Sequence, residues 1–376
     1  MSAAADAWMA RALELAARGG RATAPNPRVG ALVVSRGELV GEGWHRACGG
    51  PHAEAFALEA AGDRARGATL YSSLEPCPHE GRQPPCVARI ARAGVARVMV
   101  GLVDPDPQVA GEGIAALRRA GIEVELASGA IALAAERLLE EYLVHRRNGR
   151  ALAALKVGAT LDGRIADRHG ASHWVTGEPA REAGRALRAR YGAILIGAGT
   201  VLADDPQLLL PEHDDGGPFL RCVVDGRLSV PAGARLFGAA SERAPVLVYT
   251  APDADPARRA ALERIGAEVV ALGPPGGPVP PGEILRDLAG RGVLGAMVEG
   301  GGVTHGHFLE AGVADKIHWF VAPRLLADPE ARSAVAGPGR PLGKAWDGAF
   351  AEVTRLGEDL LLTLYPRGAQ ACSPDS

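Results

Sequence analysis

Two stretches of the chain carry residues that could bind a metal ion. The first, PHAEAFALEA, begins at Pro51, and the second, LEPCPHEGRQPPC, ends at Cys86. Together they supply an imidazole, two thiols and a carboxylate: His52, Cys77, Cys86 and Glu54. One histidine and two thiolates suit Zn²⁺, and three protein ligands leave a fourth position for water. An open zinc activates that water near neutral pH, and a free carboxylate beside it can move protons. The pattern therefore predicts hydrolytic chemistry.

The ends of predicted elements bring these residues to one place. The proline before His52 fits the first position of a helix, because its missing N–H costs nothing there. His52 and Glu54 then lie in the first helical turn, where the positive end of the helix dipole faces the metal. A predicted strand at 68–73 leads to Cys77, and two prolines open a second helix at Cys86, where a thiolate is stabilised. Both helix starts therefore point at one site.

The order of these residues is specific. His-x-Glu, then Pro-Cys, then a second Cys is the signature of the zinc deaminases. Eight residues, PHEGRQPP, separate Cys77 from Cys86, and this long interval resembles the deaminase half of the bacterial bifunctional enzymes of riboflavin biosynthesis. The resemblance implies that Glu54 is the catalytic acid–base and that Asn26, in the turn PNP, contacts a pyrimidine, as His45 could. On residue type alone, Asn26 is a turn former and His45 an ordinary surface histidine.

Two other interpretations of the histidines and cysteines stay open at the level of sequence. A purely structural zinc would need a fourth ligand, for which His79 is the nearby candidate. Cys48, four residues before His52, could also close the site, and the metal would then exclude water. Cys222 lies in the apolar run RCVV and is predicted to be a buried strand residue.

Alternating strand and helix patterns organise the first half into an α/β fold. They predict a three-layer sandwich, as in cytidine-deaminase-like folds. A basic run and the pair Asn148-Gly149 mark the end of its last helix. The deaminase domain is therefore expected at residues 1–147. The predicted elements are helices at 3–18 and 131–147 and strands at 29–34, 38–44, 68–73, 95–100 and 122–126.

The second half resembles the reductase half of the same bifunctional enzymes, a dihydrofolate-reductase-like domain. The stretch ALAALKVGATLDGRIAD opens it, and ASHWVTG, LRARYGAILIGAGTVLADDPQL and MVEGGGVTHGHFLEAG follow in order. The resemblance implies that NADPH is bound by Gly158, Trp174, Thr200, Asp204, Gly301, Gly302 and His307. It implies that a ribose-phosphate substrate is bound by Lys156, Ser172, Arg188, Leu208 and Glu299. Lys156 and Asp204 are also the candidates for proton donors or polarising groups.

Without the family resemblance, the individual residues of the second half give weaker evidence of function. A lone lysine at a strand end is usually a solvated charge, and a glycine triplet between a predicted strand at 294–298 and a helix is often a tight turn. Glycines there also let backbone N–H groups approach a phosphate. The family often carries an arginine that aids the substrate phosphate where this chain has Pro211. A deaminase with a degenerate reductase half is therefore the alternative function.

The resemblance covers nearly the whole chain and implies two consecutive reactions. The first is hydrolytic deamination of 2,5-diamino-6-(5-phosphoribosylamino)pyrimidin-4(3H)-one. The second is NADPH-dependent reduction of the ribosyl side chain to ribityl. The implied reductase domain covers residues 148–366, and the tail at 367–376 is expected to be disordered.

Composition excludes other classes of protein. At 376 residues, two domains are the natural expectation. A net charge of −3 without a Lys/Arg block argues against nucleic-acid binding, and 4% aromatic residues argue against a deaminase that stacks flipped bases. No apolar run approaches a membrane span, and the first helix lacks the features of a signal peptide. The cysteine usage fits the cytoplasm, and the family resemblance favours a homodimer or higher homo-oligomer.

Overall fold

The computed structural model describes residues 3–80, 83–210, 216–217, 219–238 and 244–367. The chain divides into two compact units, Met1–Asn148 and Gly149–Ser376. The last helix of the first unit ends at Asn148, and Gly149 follows with a φ of 64°, the left-handed conformation that terminates helices. The predicted cap is thus confirmed. Of the predicted tail, 368–376 lies outside the described residues.

In the first unit, every helix and strand predicted from the sequence is present, with ends within two residues of the prediction. Its elements are α1 (Ala3–Ala17), β1 (Gly30–Ser35), β2 (Glu38–Trp44), α2 (Ala53–Ala61), β3 (Thr69–Ser72), α3 (Cys86–Ala93), β4 (Arg97–Val100), α4 (Glu112–Arg119), β5 (Glu123–Leu126) and α5 (Gly129–Asn148).

These elements form three layers around a five-stranded sheet of order β2-β1-β3-β4-β5. Strand β1 shows how the layers arise, since successive side chains of a strand point to opposite faces. Ala31 and Val33 pack in one core with α2, α3 and α4. Leu32 and Val34 pack in a second core with α1. The sheet is therefore buried on both faces, and the predicted α/β sandwich is confirmed.

Two glycines of β2 allow α2 to approach the sheet closely. A Cβ on Gly41 would lie 2.2 Å from the Ala57 carbonyl oxygen, and a Cβ on Gly43 would lie 2.3 Å from the Phe56 Cβ. Any larger side chain would push the helix away. Because α2 carries Glu54 and follows His52, this contact fixes the position of both side chains.

The start of α2 differs slightly from the sequence prediction. The helix begins at Ala53, and His52 is the N-cap residue with an extended backbone, φ −76° and ψ 163°. Pro51 therefore lies before the helix and not at its first position. An extended N-cap directs the His52 side chain away from the helix flank, whereas Glu54 lies inside the first turn. This difference explains how two residues only two positions apart reach one site.

The second unit is a larger α/β unit. Its elements are β6 (Leu152–Thr160), β7 (Arg164–Ala166), α6 (Glu178–Arg190), β8 (Ala193–Gly197), α7 (Ala198–Asp204), β9 (Leu220–Val224), α8 (Arg235–Gly238), β10 (Val246–Thr250), α9 (Pro256–Arg264), β11 (Glu268–Ala271), α10 (Pro281–Gly290), β12 (Gly295–Gly300), α11 (Gly302–Glu310), β13 (Lys316–Ala322), β14 (Arg332–Ser333), β15 (Gly348–Leu356) and β16 (Asp359–Pro366).

Nine of these strands form one sheet of order β11-β10-β9-β8-β12-β6-β13-β16-β15. The first seven are parallel, and β16 and β15 add an antiparallel edge. From β8 the chain continues to β9 on one side, and from β12 it continues through α11 to β13 on the other. Adjacent strands with connections that diverge in this way open a crevice at their carboxyl ends.

The core of the second unit is apolar, as its parallel strands require. Leu155, Leu195 and Val298 of three neighbouring strands pack against Leu285 of α10 and Phe308 of α11. Cys222 is fully buried in β9, as predicted. Strand β12 extends to Gly300, so Glu299 lies at the end of the strand itself and not in the turn that follows it. In the described part of the chain, every helix is too short or too polar to cross a bilayer.

Candidate active sites

The three predicted metal ligands meet in the first unit. The Nδ1 atom of His52 lies 3.2 Å from the Cys86 sulfur and 3.5 Å from the Cys77 sulfur. All three donor atoms lie within 4.8 Å of one another. Typical zinc bond lengths in a tetrahedral site give donor separations of roughly 3.5–3.8 Å. The donor set and its spacing therefore fit a zinc ion.

The two thiols share their protons unequally. A hydrogen bond with Cys86 lowers the pKa of Cys77 to about 4, and His52 contributes in the same direction. The hydrogen bond to Cys77 and burial together raise the pKa of Cys86. These shifts favour a thiolate at Cys77 and a thiol at Cys86. A metal ion bound by all three residues would favour a second thiolate.

Glu54 lies beside this cluster without belonging to it. Its carboxylate is 3% exposed, and its Oε2 atom lies 3.5 Å from the Cys86 sulfur. The Ser72 hydroxyl donates a hydrogen bond of 3.3 Å to its other oxygen. Burial raises the pKa of Glu54, while the nearby His52 acts in the opposite direction. The carboxyl group is therefore close enough to exchange protons with a water that would occupy the fourth position of a metal bound by the cluster.

His45 and Asn26 form a small network at the same site. His45 is buried, with Nδ1 3.0 Å from the Pro51 carbonyl oxygen and Nε2 3.3 Å from the Asn26 amide nitrogen. A neutral ring that donates from Nδ1 and accepts at Nε2 satisfies both contacts, and burial lowers the pKa of His45. The side chain is therefore not at the surface. It links the Asn26 amide to the backbone next to His52.

A cavity of about 410 Å³ contains the predicted residues Asn26, His45, His52, Glu54 and Cys77 in its wall. Its wall also includes residues that sequence reasoning did not identify. Glu75 accepts three backbone hydrogen bonds, from the amides of Asp104, Gly111 and Ile114. It thereby ties the 104–114 segment to the cavity. Its place in LEPC, two residues before a ligand, was the one available signal. The further titratable lining residues missed are Asp104, Asp106, Tyr142 and Arg146.

The alternative zinc ligands lie apart from the cluster. Cys48 is exposed, and so is His79. Both line the cavity, but among the described residues the group of possible metal ligands contains His52, Cys77 and Cys86 without them. The geometry therefore favours a three-ligand site over a closed structural one.

In the second unit, a cleft of about 990 Å³ opens at the carboxyl ends of β8 and β12. Every residue that the sequence assigned to the cofactor or to the reductase substrate lines it. The assigned residues are Lys156, Gly158, Ser172, Trp174, Arg188, Thr200, Asp204, Leu208, Glu299, Gly301, Gly302 and His307. Pro211 lies outside the described residues.

The two walls of the crevice are joined at its base. The Gly301 amide donates a hydrogen bond of 2.8 Å to the Thr200 hydroxyl, which connects the start of α7 to the start of α11. Gly199 has open space where a Cβ would be, and Gly158 has only the Thr176 methyl group within 4 Å of that position. An extended ligand can therefore approach the backbone here, and the amides at the start of α11 can face phosphate oxygens. This shape fits a dinucleotide such as NADPH.

The rest of the cleft contains one ion pair and one hydrogen-bonded pair of side chains. Arg188 donates two hydrogen bonds to Glu299, of 2.6 and 2.9 Å, and both side chains are largely buried. The positive charges of Lys156 and Arg188 oppose the effect of burial on Glu299, and its pKa is lowered. Ser172 donates a hydrogen bond of 3.1 Å to Asp204. Sequence reasoning did not foresee that Arg188 is already paired.

The two units thus define a class of protein, a zinc deaminase joined to a dihydrofolate-reductase-like reductase. The family model for the cytidine and deoxycytidylate deaminase zinc-binding region matches residues 2–102, and the RibD C-terminal domain matches residues 153–362. The riboflavin biosynthesis protein RibD of Bacillus amyloliquefaciens is 38% identical, over 96% of both chains. That of Escherichia coli is 38% identical, over 95% of this chain and 98% of the relative. The chain belongs to the RibD family of bifunctional riboflavin-biosynthesis enzymes.

Solved structures agree with this assignment. Acinetobacter baumannii RibD superposes with a TM-score of 0.84 at 35% identity, covering 96% of this chain and 99% of that one. A Thermotoga maritima diaminohydroxyphosphoribosylaminopyrimidine deaminase/5-amino-6-(5-phosphoribosylamino)uracil reductase superposes with a TM-score of 0.82 at 33% identity, with the same coverage. The predicted fold class, bifunctional activity and use of zinc and NADPH are therefore confirmed. The roles of individual residues stay predictions.

Loss of either thiol should empty the metal site. We expect Cys77→Ser and Cys86→Ser to reduce bound zinc from about one ion per chain to a small fraction of that. The exposed residue Cys48 provides a matched control, and Cys48→Ser should keep the full zinc content. Elemental analysis of purified protein by mass spectrometry measures the result. Full zinc retention in both ligand variants would contradict the assignment.

Proposed function

We propose that residues 1–147 deaminate 2,5-diamino-6-(5-phosphoribosylamino)pyrimidin-4(3H)-one and that residues 148–366 reduce the deaminated product with NADPH. The observation that carries the first half is the cluster of His52, Cys77 and Cys86 with Glu54 beside it in one cavity. The second half rests on the convergence of all the expected side chains on one crevice. The resulting product is the ribityl derivative of the aminouracil.

In the deaminase, His52, Cys77 and Cys86 would hold zinc, which would supply an activated water as the nucleophile. Glu54 is placed to take one proton from the water whose oxygen bonds to the amine-bearing ring carbon. The same carboxyl group then delivers a proton to the departing amine, which leaves as ammonia. One carboxyl group can perform both transfers because it faces the cluster from a single buried position.

Asn26 and His45 orient the pyrimidine in this proposal. The Asn26 amide can form hydrogen bonds with the polar edge of the ring, and His45 holds that amide in place through its Nε2 atom. His45 in turn is anchored to the Pro51 carbonyl, directly before the ligand His52. The ring is therefore positioned by groups that are themselves fixed to the metal site. A mispositioned ring would lose the alignment that the reaction requires.

In the reductase, NADPH supplies a hydride for C1′ of the ribosyl group in its opened form. Gly158, Trp174, Thr200, Asp204 and the start of α11 bind the cofactor in our proposal. Ser172, Leu208, Arg188 and Glu299 contact the substrate. Lys156 lies close enough to Glu299 for their charges to interact, and can polarise or protonate the oxygen released when the ribose ring opens. Asp204, which accepts a hydrogen bond from Ser172, is the second candidate.

A deaminase with a degenerate second half is the alternative, because Pro211 replaces an arginine expected in the family. The hydrogen bond between Thr200 and Gly301 and the charged groups that line the cleft favour an active reductase. Ammonia release without NADPH consumption by the wild-type protein would support the degenerate form.

Glu54→Gln should separate the two activities. We expect ammonia release to fall by roughly 10²–10⁴-fold, because the amide cannot shuttle protons. Zinc content should stay unchanged, and so should NADPH oxidation with the deaminated ribotide, since the substitution lies outside the reductase. Glu59→Gln, at an exposed position of the same helix, is the matched control. Undiminished ammonia release by Glu54→Gln would refute the assigned role.

Lys156→Met should show the converse behaviour. We expect the kcat of NADPH oxidation to fall by about 10²-fold or more while ammonia release stays at the wild-type rate. Lys344→Met removes an exposed lysine of the same unit and serves as the control. A wild-type kcat for Lys156→Met would remove this residue from the reaction.

We also propose that the protein is a homodimer. Strand β15 is an edge strand with Phe350 68% and Val353 59% exposed, an apolar edge of the kind that proteins normally cover. Light scattering should give about twice the chain mass of 38.8 kDa, and Phe350→Lys should shift the mass toward one chain. A monomeric wild type would contradict the proposal.

We assign the protein to the cytoplasm, since two metal-binding thiols must stay reduced. Cell fractionation tests this assignment.

A further inference from the structure

The reductase cleft has to accommodate several negative charges. Its cofactor carries a pyrophosphate and a further phosphate, and its substrate carries a 5′-phosphate. The position where the family often supplies an arginine is Pro211 in this chain. Cations at other positions of the cleft can neutralise these charges. The described basic side chains that line the cleft, apart from histidines, are Lys156, Arg181, Arg188 and Arg332.

Two of these arginines already have partners. Arg188 uses two N–H groups on Glu299, so its charge is largely neutralised before any ligand binds. Arg181 bonds to the Glu178 carboxylate and to the Thr176 carbonyl oxygen, and its guanidinium lies 3.9 Å from the centre of the Trp174 ring. A phosphate would have to displace an existing ion pair to bind either one, which costs part of the affinity gained.

Arg332 is different. No hydrogen bond or ion pair links its guanidinium to any other described residue. The guanidinium lies along Gly170, where a Cβ would be 3.2 Å from Nη2. Gly170 precedes Ser172 and Trp174, so the charge lies next to the loop that carries one proposed substrate contact and one proposed cofactor contact. The lack of a side chain at Gly170 keeps this position open.

The backbone around Arg332 is fixed against the start of α11, which lines the cleft. Strand β14 pairs Arg332 with Ala166 of β7. The carbonyl oxygen of Ser333 would lie 2.2 Å from a Cβ on Gly302, and the Ala336 amide donates 3.0 Å to the Gly302 carbonyl oxygen. The segment is thus seated on the first turn of α11. A guanidinium held here can act together with the helix N–H groups on one anion.

We propose that Arg332 binds a phosphoryl group in the reductase cleft, either that of NADPH or the 5′-phosphate of the ribotide. This inference rests on the proposed reductase function and adds a phosphate-binding residue to that function. The guanidinium meets the phosphate oxygens with two N–H groups from the β14 side, while the α11 amides face the cleft from the helix start. It supplies the positive charge that Pro211 does not.

Arg332→Gln tests this with two separate readouts on the full-length protein. Direct titration with NADPH, followed by cofactor fluorescence, gives the dissociation constant, and steady-state turnover gives the KM for the deaminated ribotide. Loss of a charge-assisted contact should weaken one of them by about tenfold or more. A higher NADPH dissociation constant identifies the cofactor as the source. A higher ribotide KM with unchanged NADPH binding identifies the substrate.

Arg264→Gln is the matched control, since it removes one exposed positive charge from the same unit away from the cleft. Arg332→Lys, which keeps the charge but not the paired N–H groups, should fall between the wild type and Arg332→Gln. If both constants of Arg332→Gln stay within twofold of the Arg264→Gln values, the inference is overturned while the reductase assignment stands. If the wild type does not oxidise NADPH, the proposed function fails, and the binding titration alone then decides the role of Arg332.

Discussion

The deaminase half depends on one constraint, the convergence of three ligand atoms that come from two distant segments. His52 precedes α2, whereas Cys77 and Cys86 flank a loop between β3 and α3. Their donor atoms can meet only if both helices are held at a fixed distance from the sheet. The close approach of α2 to Gly41 and Gly43 and the shared apolar core of α2, α3 and α4 provide that distance. A shift of one helix by about an ångström would separate donors that now lie 3.2 to 3.5 Å apart.

A different principle builds the second site. Its position follows from the direction in which the chain leaves β8 and β12. The divergence opens a crevice, and the hydrogen bond between Thr200 and Gly301 sets its width at the base. Glycines leave the backbone accessible, and charged side chains of β6, α6 and β12 line the cleft. The first site is therefore defined by the convergence of a few ligand atoms, and the second by the extended surface of a cleft that can hold a cofactor and a substrate.

The sequence was informative where the chemistry depends on residue type and order. The ligand pattern, the alternation in β1 and the capping glycine after α5 each follow from local rules, and the structure agrees with them. Contacts between distant segments were beyond such rules. Nothing local to Arg188 or Glu299 indicates that they pair across 111 positions, and nothing local to Arg332 indicates that it lies along Gly170. These contacts depend on register and crossover, which only the assembled sheet determines. The helix start at Ala53 was missed for a smaller reason, since Pro51 suits either of two nearby positions.

The carboxylates of the first cavity show how one residue type takes different roles through its partners. Glu75 has its oxygens occupied by three backbone amides, and Asp104 accepts hydrogen bonds from the Tyr142 hydroxyl and the Asp106 amide. A carboxylate held in this way fixes the backbone or side chain that donates to it, so it serves as an anchor. Glu54 has one long hydroxyl contact and one thiol contact, and little is lost when its charge changes. Glu54 is therefore the carboxylate whose contacts are the longest, at 3.3 and 3.5 Å, and it is the one that lies beside the metal ligands.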